Sequence, residues 1–175
     1  LPLPVIGGST RQDSCRIGIE AVARHKPGKV LIHDAARPFV SEALIDNVIG
    51  WLDRFPAAIP GMPVAETLKF APGGMVSRTV DRASIWTAQT PQGFTYDGIL
   101  AAYRKAEAEQ TQGLTDDASV AENAGIAISM IMGELENRKL TTADDIVMAD
   151  RDMTGRQLLE RPDVRVGQGI DVHPF

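Results

Sequence analysis

The sequence has a single cysteine, no long apolar run and no excess of positive charge, and each absence excludes a class of protein. Cys15 cannot form an internal disulfide, so we expect the chain in a reducing, cytoplasmic compartment. No uninterrupted apolar stretch is long enough to span a bilayer. Asp and Glu number 23 against 18 Lys and Arg, for a net charge of −5, which argues against a general nucleic-acid binder because such surfaces are usually basic.

The start of the chain lacks both an initiator methionine and a signal peptide. Its first residues, LPLPVIGGST, contain no basic segment and no apolar signal core, so we expect the chain to begin inside a longer polypeptide. The sequence also has no internal repeat and no low-complexity tract. What it does have is 175 residues, 43% of them hydrophobic, which is enough for the core of one globular domain.

Short β-like runs alternate with amphipathic helical stretches, the pattern of an α/β protein. The strands are predicted at residues 4–6, 29–33 and 126–132. The helices are predicted at residues 14–25, 41–55, 95–110 and 116–123, with a last helix starting at the capping pair Thr142 and Asp145. Residues 57–88 are rich in Pro, Gly and β-branched residues, which predicts a hairpin-like excursion from the main sheet.

Asp34 and Arg37, in the segment HDAARP, follow the strand predicted at 29–33. Ligands of open α/β sheets bind beyond the carboxyl ends of strands, so both residues are candidates for a site. A turn capped by Asp34 beside a solvated Arg37 explains them equally well. We expect His33, a single histidine at a strand end, to be structural.

Gly7, Gly8 and Ser9 precede Arg11 and Ser14 at the start of a predicted helix. Exposed N–H groups, hydroxyls and a guanidinium in this position suit a phosphate, a ribose or a base edge. The segment matches neither common phosphate-loop pattern, and a glycine turn capped by Ser14 is the more ordinary interpretation.

Further candidates are polar residues that follow predicted elements or lie in the excursion. Thr90 is held outside the α region by the proline after it, which fixes the direction of its hydroxyl. Thr115 is either a ligand or a helix N-cap, and Lys139 is either a surface lysine or a cation at the same sheet edge. Thr67 and Arg82 lie in the excursion. Either they belong to a site, or they are polar residues of a charged hairpin that keep its edges soluble.

Six segments, taken in order, carry a family resemblance: HDAARPFV, PVAETLK, TVDR, TPQGF, TDDAS and ENRKLTTADDI. Over residues 5–150 the chain resembles the 2-C-methyl-D-erythritol 4-phosphate cytidylyltransferases of the non-mevalonate isoprenoid pathway. The tail RVGQGIDVHPF resembles the opening strand of 2-C-methyl-D-erythritol 2,4-cyclodiphosphate synthase, a zinc enzyme of the same pathway, and the two activities are fused in some bacteria. We therefore expect residues 1–160 to form most of a cytidylyltransferase domain, with an arm at about 57–88. Residues 161–175 are then a linker and the first strand of the synthase domain.

The resemblance implies a fold, a reaction and partners. The implied α/β fold is a Rossmann-like nucleotidyltransferase with a mainly parallel central sheet, flanked by helices and carrying a projecting β-arm. The implied reaction transfers CMP from CTP to methylerythritol phosphate and releases pyrophosphate, with Mg²⁺ as cofactor. The parent polypeptide would also make the 2,4-cyclodiphosphate at a Zn²⁺ site. It would be a cytoplasmic homodimer joined through the arm, with no nucleic-acid or membrane partner.

The resemblance also assigns residues to roles. The cytosine and ribose of CTP would lie at Gly8, Ser9 and Ser14. Around methylerythritol phosphate and the reacting phosphates it places Asp34, Arg37, Thr90, Thr115 and Lys139. Two catalytic residues, Arg82 and Lys139, would hold the attacking phosphate, and the arm would carry Thr67 and Arg82 into the site of the other subunit. In the second domain, Asp171 and His173 would be zinc ligands. They do not complete a zinc site by themselves.

One family feature has no counterpart in the sequence. The glycine-rich loop that holds the triphosphate belongs on the order of 60 residues before Val5, the length of two βα units. This absence leaves open a non-catalytic, dimerising fragment. A cytidylyltransferase for another polyol phosphate, such as ribitol 5-phosphate, also shares the HDA-x-RP segment, but the synthase-like tail favours methylerythritol phosphate.

Overall fold

The computed structural model describes residues 4–160, with side chains described through residue 154. The chain divides between Lys139 and Leu140 into two compact units. The first contains a sheet with helices, and the described part of the second is one helix.

The elements alternate along the chain. The strands are β1 (Lys29–Ile32), β2 (Ala57–Pro63), β3 (Leu68–Phe70), β4 (Arg78–Val80), β5 (Trp86–Ala88), β6 (Gln92–Thr95) and β7 (Ile128–Met132). The helices are α1 (Arg11–Ala21), α2 (Glu42–Trp51), α3 (Tyr96–Ala108), α4 (Asp117–Asn123) and α5 (Ala143–Glu160). Short 3₁₀ turns lie at Ala23–His25 and Pro72–Gly74. The predicted α/β class is confirmed.

The central sheet has five strands, and β2 pairs with three of them. Along one edge β2 pairs in parallel with β7, with Ala57 opposite Ile128. Along its other edge it pairs antiparallel with β6 and then with β5. The last strand, β1, is antiparallel to β6, with Lys29 opposite Thr95. Strands β1, β2 and β7 therefore run in one direction, and β5 and β6 run in the other.

The expected mainly parallel pairing does not hold for the described strands. Only β2 and β7 pair in parallel, because β6 lies between β1 and β2 and runs against both. Which strand inserts between two others depends on contacts distant in sequence, so local periodicity cannot predict it.

The core lies on both faces of this sheet. On one face, α3 presents Ile99, Ala102, Tyr103 and Ala106 at helical spacing to a cluster that includes Phe94. The preceding residue of β6, Gly93, faces the opposite side, where α2 packs through Val48 and Leu52. The absent side chain of Gly93 lets α2 approach the strand closely.

The predicted excursion at 57–88 is narrower than its sequence indicated. Residues 57–61 are buried and form part of central strand β2, and β5 also belongs to the central sheet. The true hairpin is the two-stranded sheet of β3 and β4, in which Lys69 lies opposite Thr79. Pro60 and Gly61 resemble loop residues locally, but both lie within the sheet.

Helix α1 begins earlier than predicted. Thr10 is its N-cap: its hydroxyl accepts a hydrogen bond from Asp13 N at 3.0 Å, and the Asp13 carboxylate accepts one from Thr10 N at 3.2 Å. Ser14 therefore lies inside the helix and does not cap it. Residues 4–6, predicted as a strand, are in irregular structure.

The second unit confirms the predicted capping box. Asp145 N donates to the Thr142 hydroxyl at 3.1 Å, and the Asp145 carboxylate accepts from Thr142 N at 2.8 Å. The bonds that the Asp145 carboxylate accepts from Thr141 N and Thr142 N, together with one from the Thr141 hydroxyl, lower the pKa of Asp145 to about 2. None of the helices within residues 4–160 has both the length and the apolar character of a membrane span.

Candidate active site

Polar residues from three segments meet at one edge of the central sheet. Asp34 follows β1, Lys139 follows β7, and Thr90 lies two residues before the start of β6. Because β6 runs against the other two strands, its start lies beside their ends. Asp34 N donates to the Thr90 hydroxyl at 3.0 Å, and Lys139 Nζ lies 2.9 Å from Asp34 Oδ2. We call Asp34, Arg37, Thr90 and Lys139 the strand-end cluster.

The Thr90 hydroxyl is held from two sides. Nε2 of His33 lies 2.9 Å from the carbonyl of Arg37, and since a carbonyl only accepts, this contact assigns the ring proton to Nε2. Nδ1 then accepts from the Thr90 hydroxyl at 3.0 Å. His33, expected to be merely structural, therefore orients a residue of the cluster.

Arg37 fastens the segment after β7 to the end of β5. Its Nη1 donates to the carbonyl of Asn137 at 2.7 Å and its Nη2 to that of Ala88 at 3.3 Å. Burial lowers the pKa of Arg37, against the opposing effect of the Asp34 carboxylate. With both terminal nitrogens engaged, Arg37 positions backbone close to Lys139.

Two buried amides, which no sequence pattern indicated, complete this framework. Asn137 is fully buried and donates to the carbonyl of Thr90 at 2.8 Å. Gln89 binds Glu134 twice, donating to its carbonyl at 2.8 Å and accepting from its N–H at 3.1 Å. The segment that carries Lys139 is thus joined to the segment that carries Thr90. Local sequence carries no signal for these amides, because their partners are more than 40 residues away.

A second group of charges adjoins the cluster. Arg11 binds the carboxylate of Asp117 through two nitrogens, at 2.6 Å and 3.3 Å, and its Nη2 lies 4.0 Å from Asp34 Oδ1. Asp117 is fully buried and also accepts from the Tyr103 hydroxyl. Burial together with the Asp117 charge raises the pKa of Tyr103, so the phenol stays protonated.

Asp34 remains ionised at neutral pH. Burial acts to raise its pKa, but the hydrogen bond and charge of Lys139, followed by the charges of Arg11 and Arg37, lower it overall. The edge of the sheet therefore combines two carboxylates, Asp34 and Asp117, with the three cations Arg11, Arg37 and Lys139, and this excess of positive charge can accept anionic ligands.

The predicted nucleotide residues lie together where the turn with Gly8 and Ser9 meets the first turn of α1, which carries Ser14. Ser14 Oγ accepts from Gly8 N at 3.0 Å, and the Ser9 hydroxyl donates to Asp13 at 2.9 Å. A Cβ at Gly8 would lie 2.2 Å from the Cβ of Asp13, so this close approach requires glycine. Arg11 belongs to the same segment, so the turn borders the strand-end cluster.

Three predicted residues lie outside these contacts. Thr115 is exposed and does not cap α4, because Asp116 is the N-cap and accepts from Ser119 N at 2.9 Å. Thr67 and Arg82 are exposed in and beside the β3–β4 hairpin, and no described contact joins them to the cluster. The predicted zinc ligands Asp171 and His173 lie outside the described residues. Within residues 4–160, no group of three or more His, Cys, Asp or Glu is placed to hold a metal ion.

Fold and site together define an α/β protein with a polar, cation-rich site at the strand ends. The family model of 2-C-methyl-D-erythritol 4-phosphate cytidylyltransferase, IspD, matches residues 3–155. The chain belongs to this family, and the predicted nucleotidyltransferase fold is confirmed.

The chain is similar to bifunctional enzymes IspD/IspF from two bacteria. It is 50% identical over 169 residues to that of Rhodospirillum rubrum, covering 97% of this chain and 42% of the relative. It is 48% identical over 173 residues to that of Paramagnetospirillum magneticum, covering 98% and 43%. The chain therefore spans less than half the length of these relatives.

Solved structures give the same family. The crystal structure of 2-C-methyl-D-erythritol 4-phosphate cytidylyltransferase from Thermus thermophilus is 34% identical, with a TM-score of 0.78, and the match covers 86% of this chain and 72% of that one. The bifunctional IspDF of Campylobacter jejuni is 29% identical, with a TM-score of 0.69, over 82% of this chain and 35% of that one.

Proposed function

We propose that the complete polypeptide containing this chain transfers CMP from CTP to 2-C-methyl-D-erythritol 4-phosphate and releases pyrophosphate. The observation that carries the proposal is the strand-end cluster, in which Lys139, Asp34 and Thr90 come together from motifs far apart in sequence. Membership of the cytidylyltransferase family supports the choice of substrates.

In the proposed reaction, the phosphate of methylerythritol phosphate attacks the α-phosphorus of CTP. Both reactants are anionic, so their mutual repulsion must be offset before in-line geometry is reached. Lys139, whose side chain is 47% exposed, can turn from Asp34 toward the attacking phosphate. Arg82, reaching from the arm of a second subunit, would bind the same phosphate by charge-assisted hydrogen bonds.

The other proposed contacts position the two substrates. The acceptor would bind near Thr90, Thr115 and Thr67, with Arg37 keeping the backbone beneath them in place. Cytosine and ribose would lie against the turn of Gly8 and Ser9 and against Ser14 at the start of α1, where backbone approach is close.

The donor set does not fit a Mg²⁺ ion held by this chain alone. Asp34 is the carboxylate of the strand-end cluster, and it is already paired with Lys139. In the part of the chain that the structure describes, no group of three or more His, Cys, Asp or Glu side chains is placed to hold a metal ion. We propose that Mg²⁺ arrives as the counter-ion of the CTP triphosphate.

We propose further that the complete polypeptide makes the 2,4-cyclodiphosphate in a second, zinc-dependent domain, whose first strand carries the zinc ligands Asp171 and His173. The bifunctional IspD/IspF relatives support this. We also propose a cytoplasmic homodimer joined through the arm. The exposed apolar side chains of the hairpin segment, Phe70, Met75 and Val76, support the arm as an interface.

The test is acceptor choice by the complete polypeptide. Pyrophosphate release is measured with CTP and either methylerythritol phosphate or ribitol 5-phosphate. We expect kcat/KM to favour methylerythritol phosphate. Preference for ribitol 5-phosphate would overturn the substrate, and failure with both would favour a non-catalytic dimerising module.

A further inference from the structure

Arg11 is a charged residue beside the strand-end cluster to which the proposed reaction gives no role. Its two terminal nitrogens bind Asp117 at 2.6 Å and 3.3 Å, so its planar guanidinium has a fixed orientation. Asp117 is in turn fully buried and bound by the Tyr103 hydroxyl. Nη2 carries two hydrogens, and the bond to Asp117 uses only one.

The second hydrogen of Nη2 is available to Asp34. Oδ1 of Asp34 lies 4.0 Å from Arg11 Nη2, while Oδ2 lies 2.9 Å from Lys139 Nζ. The two oxygens of the Asp34 carboxylate thus face two different cations. Lys139 is in hydrogen-bond contact, and Arg11 is roughly 1 Å beyond hydrogen-bond distance.

The Lys139 ion pair creates a problem for the proposed reaction. The ammonium that should hold the attacking phosphate is bound to Asp34. If Lys139 turned away, Asp34, only 24% exposed, would be left as a poorly solvated carboxylate, which is unfavourable. Arg37 is held elsewhere, since its two terminal nitrogens donate to the carbonyls of Asn137 and Ala88.

We propose that Arg11 is a positioning residue, which forms an ion pair with Asp34 when Lys139 turns to the substrate phosphate. Asp117 anchors the guanidinium. A small movement of Asp34 and Arg11 toward each other therefore forms their ion pair, while the ion pair of Arg11 with Asp117 is kept. The inference rests on the proposed function for the identity of the phosphate. It implies that Arg11 acts through Lys139 and not on the substrate directly.

The test is a double-mutant cycle in the complete polypeptide, with Arg11→Gln, Lys139→Gln and the two combined. We expect Arg11→Gln to lower kcat/KM for methylerythritol phosphate about 10-fold while changing KM for CTP less than about 3-fold. In the Lys139→Gln background, adding Arg11→Gln should lower kcat/KM for methylerythritol phosphate by no more than about 2-fold. No loss in the single variant, or the same loss in both backgrounds, would overturn the proposal.

Two controls separate positioning from folding. Arg16→Gln changes another arginine of α1, paired with Glu20 and Glu107 at 3.1 Å and 2.8 Å, and should leave kcat/KM unchanged. Arg11→Gln combined with Asp117→Asn removes both charges and leaves no unpaired carboxylate buried. It should show the same loss as Arg11→Gln, and recovery of wild-type kcat/KM would refute the role of Arg11.

Failure of the proposed function can be told apart from failure of this proposal. If the unmodified polypeptide turns over neither acceptor, the reaction is wrong, and calorimetric titration with inorganic phosphate tests Arg11 alone. Arg11→Gln should weaken phosphate binding about 10-fold, and only when Lys139 is present. Equal binding by the wild type and Arg11→Gln, or no phosphate binding by the wild type, would overturn the proposal.

Discussion

At the scale of single residues, Asp34 is where the charges of the candidate site converge. It receives Lys139 on one oxygen, faces Arg11 with the other, and binds Thr90 through its backbone. Its lowered pKa keeps it ionised at neutral pH, despite partial burial. A carboxylate of this kind holds cations in place until an anionic substrate competes for them.

Arg82→Ala should lower kcat/KM of the complete polypeptide on the order of 100-fold, because the variant loses a charge-assisted contact to the attacking phosphate. Folding should be almost unaffected, since Arg82 is exposed. Steady-state kinetics and thermal unfolding of the same preparation measure both effects.

Arg78→Ala is the matched control for this prediction. Arg78 is another exposed arginine of the hairpin, with its guanidinium 5.1 Å from the centre of the Phe70 ring. It should keep normal turnover. Normal turnover by Arg82→Ala as well would show that Arg82 does not bind the phosphate.

At the scale of elements, Gly93 sets the distance between α2 and the sheet. A Cβ at this position would lie 2.4 Å from Cγ1 of Val48 and 3.1 Å from Cδ1 of Leu52. Because the branched Val48 side chain is stiff, Gly93→Ala should lower the free energy of unfolding by about 1–3 kcal/mol. Chemical denaturation of the complete polypeptide measures this change.

Gly28→Ala serves as the comparison, since an added Cβ there meets no atom within 4 Å. It should leave the free energy of unfolding within about 0.5 kcal/mol of the wild type. If the two alanine variants are equally stable, α2 does not pack on β6 as described.

The start of α5 should respond to acid through Asp145. Its folded-state pKa, about 2, is below the ordinary 3.8, so the carboxylate stabilises the helix start above pH 3.8 and this contribution is lost as the pH falls through 2. An NMR titration of the carboxyl carbon should have its midpoint near 2. The amide hydrogens of Thr141 and Thr142 should exchange faster at about pH 2 than at about pH 4, after correction for the intrinsic exchange rate.

Asp145→Ala should abolish the difference between the exchange rates of the Thr141 and Thr142 amide hydrogens at the two pH values. The control, Asp144→Ala at the neighbouring position, should preserve that difference. A carboxyl midpoint close to 3.8 for Asp145 would contradict the hydrogen bonds at this helix start.

Elements governed by local patterns could be predicted from the sequence. The helices predicted at 41–55 and 95–110 are found as α2 and α3, and the capping pair of Thr142 and Asp145 holds, because each depends on neighbouring residues. The placement of β2 could not be predicted. Pro60 and Gly61 are turn residues by composition, and only pairing with β7, about 70 residues later, makes their segment a central strand.

The candidate site was predictable to a similar extent. Motifs identified Asp34, Arg37, Thr90 and Lys139, and the structure brings these four together. The residues that hold these four in place could not be predicted. Asn137 and Asp117 act only through contacts with residues distant in sequence, which folding brings together. Asp117 lies in the first turn of α4, where an acidic residue is common, but its carboxylate is buried against an arginine 106 residues away.

At the scale of the whole molecule, the arm predicts a dimer. No described contact joins Thr67 or Arg82 to the strand-end cluster, so the proposed site would need them from a second copy. Analytical ultracentrifugation of the complete polypeptide should find a dimer at concentrations where it is active. Replacing Phe70 and Met75 with Ser should weaken the dimer and lower turnover together. A fully active monomer would refute the shared site.

Cytidylyl transfer at the strand-end cluster can be followed by ³¹P NMR of the complete polypeptide mixed with CTP and methylerythritol phosphate. We predict that the phosphomonoester signal of methylerythritol phosphate is replaced by diphosphate-diester signals as free pyrophosphate appears. We also predict that Lys139→Ala slows this conversion on the order of 100-fold while remaining folded. Formation of the diester at an undiminished rate by Lys139→Ala, or no diester with the wild type, would contradict cytidylyl transfer at this cluster.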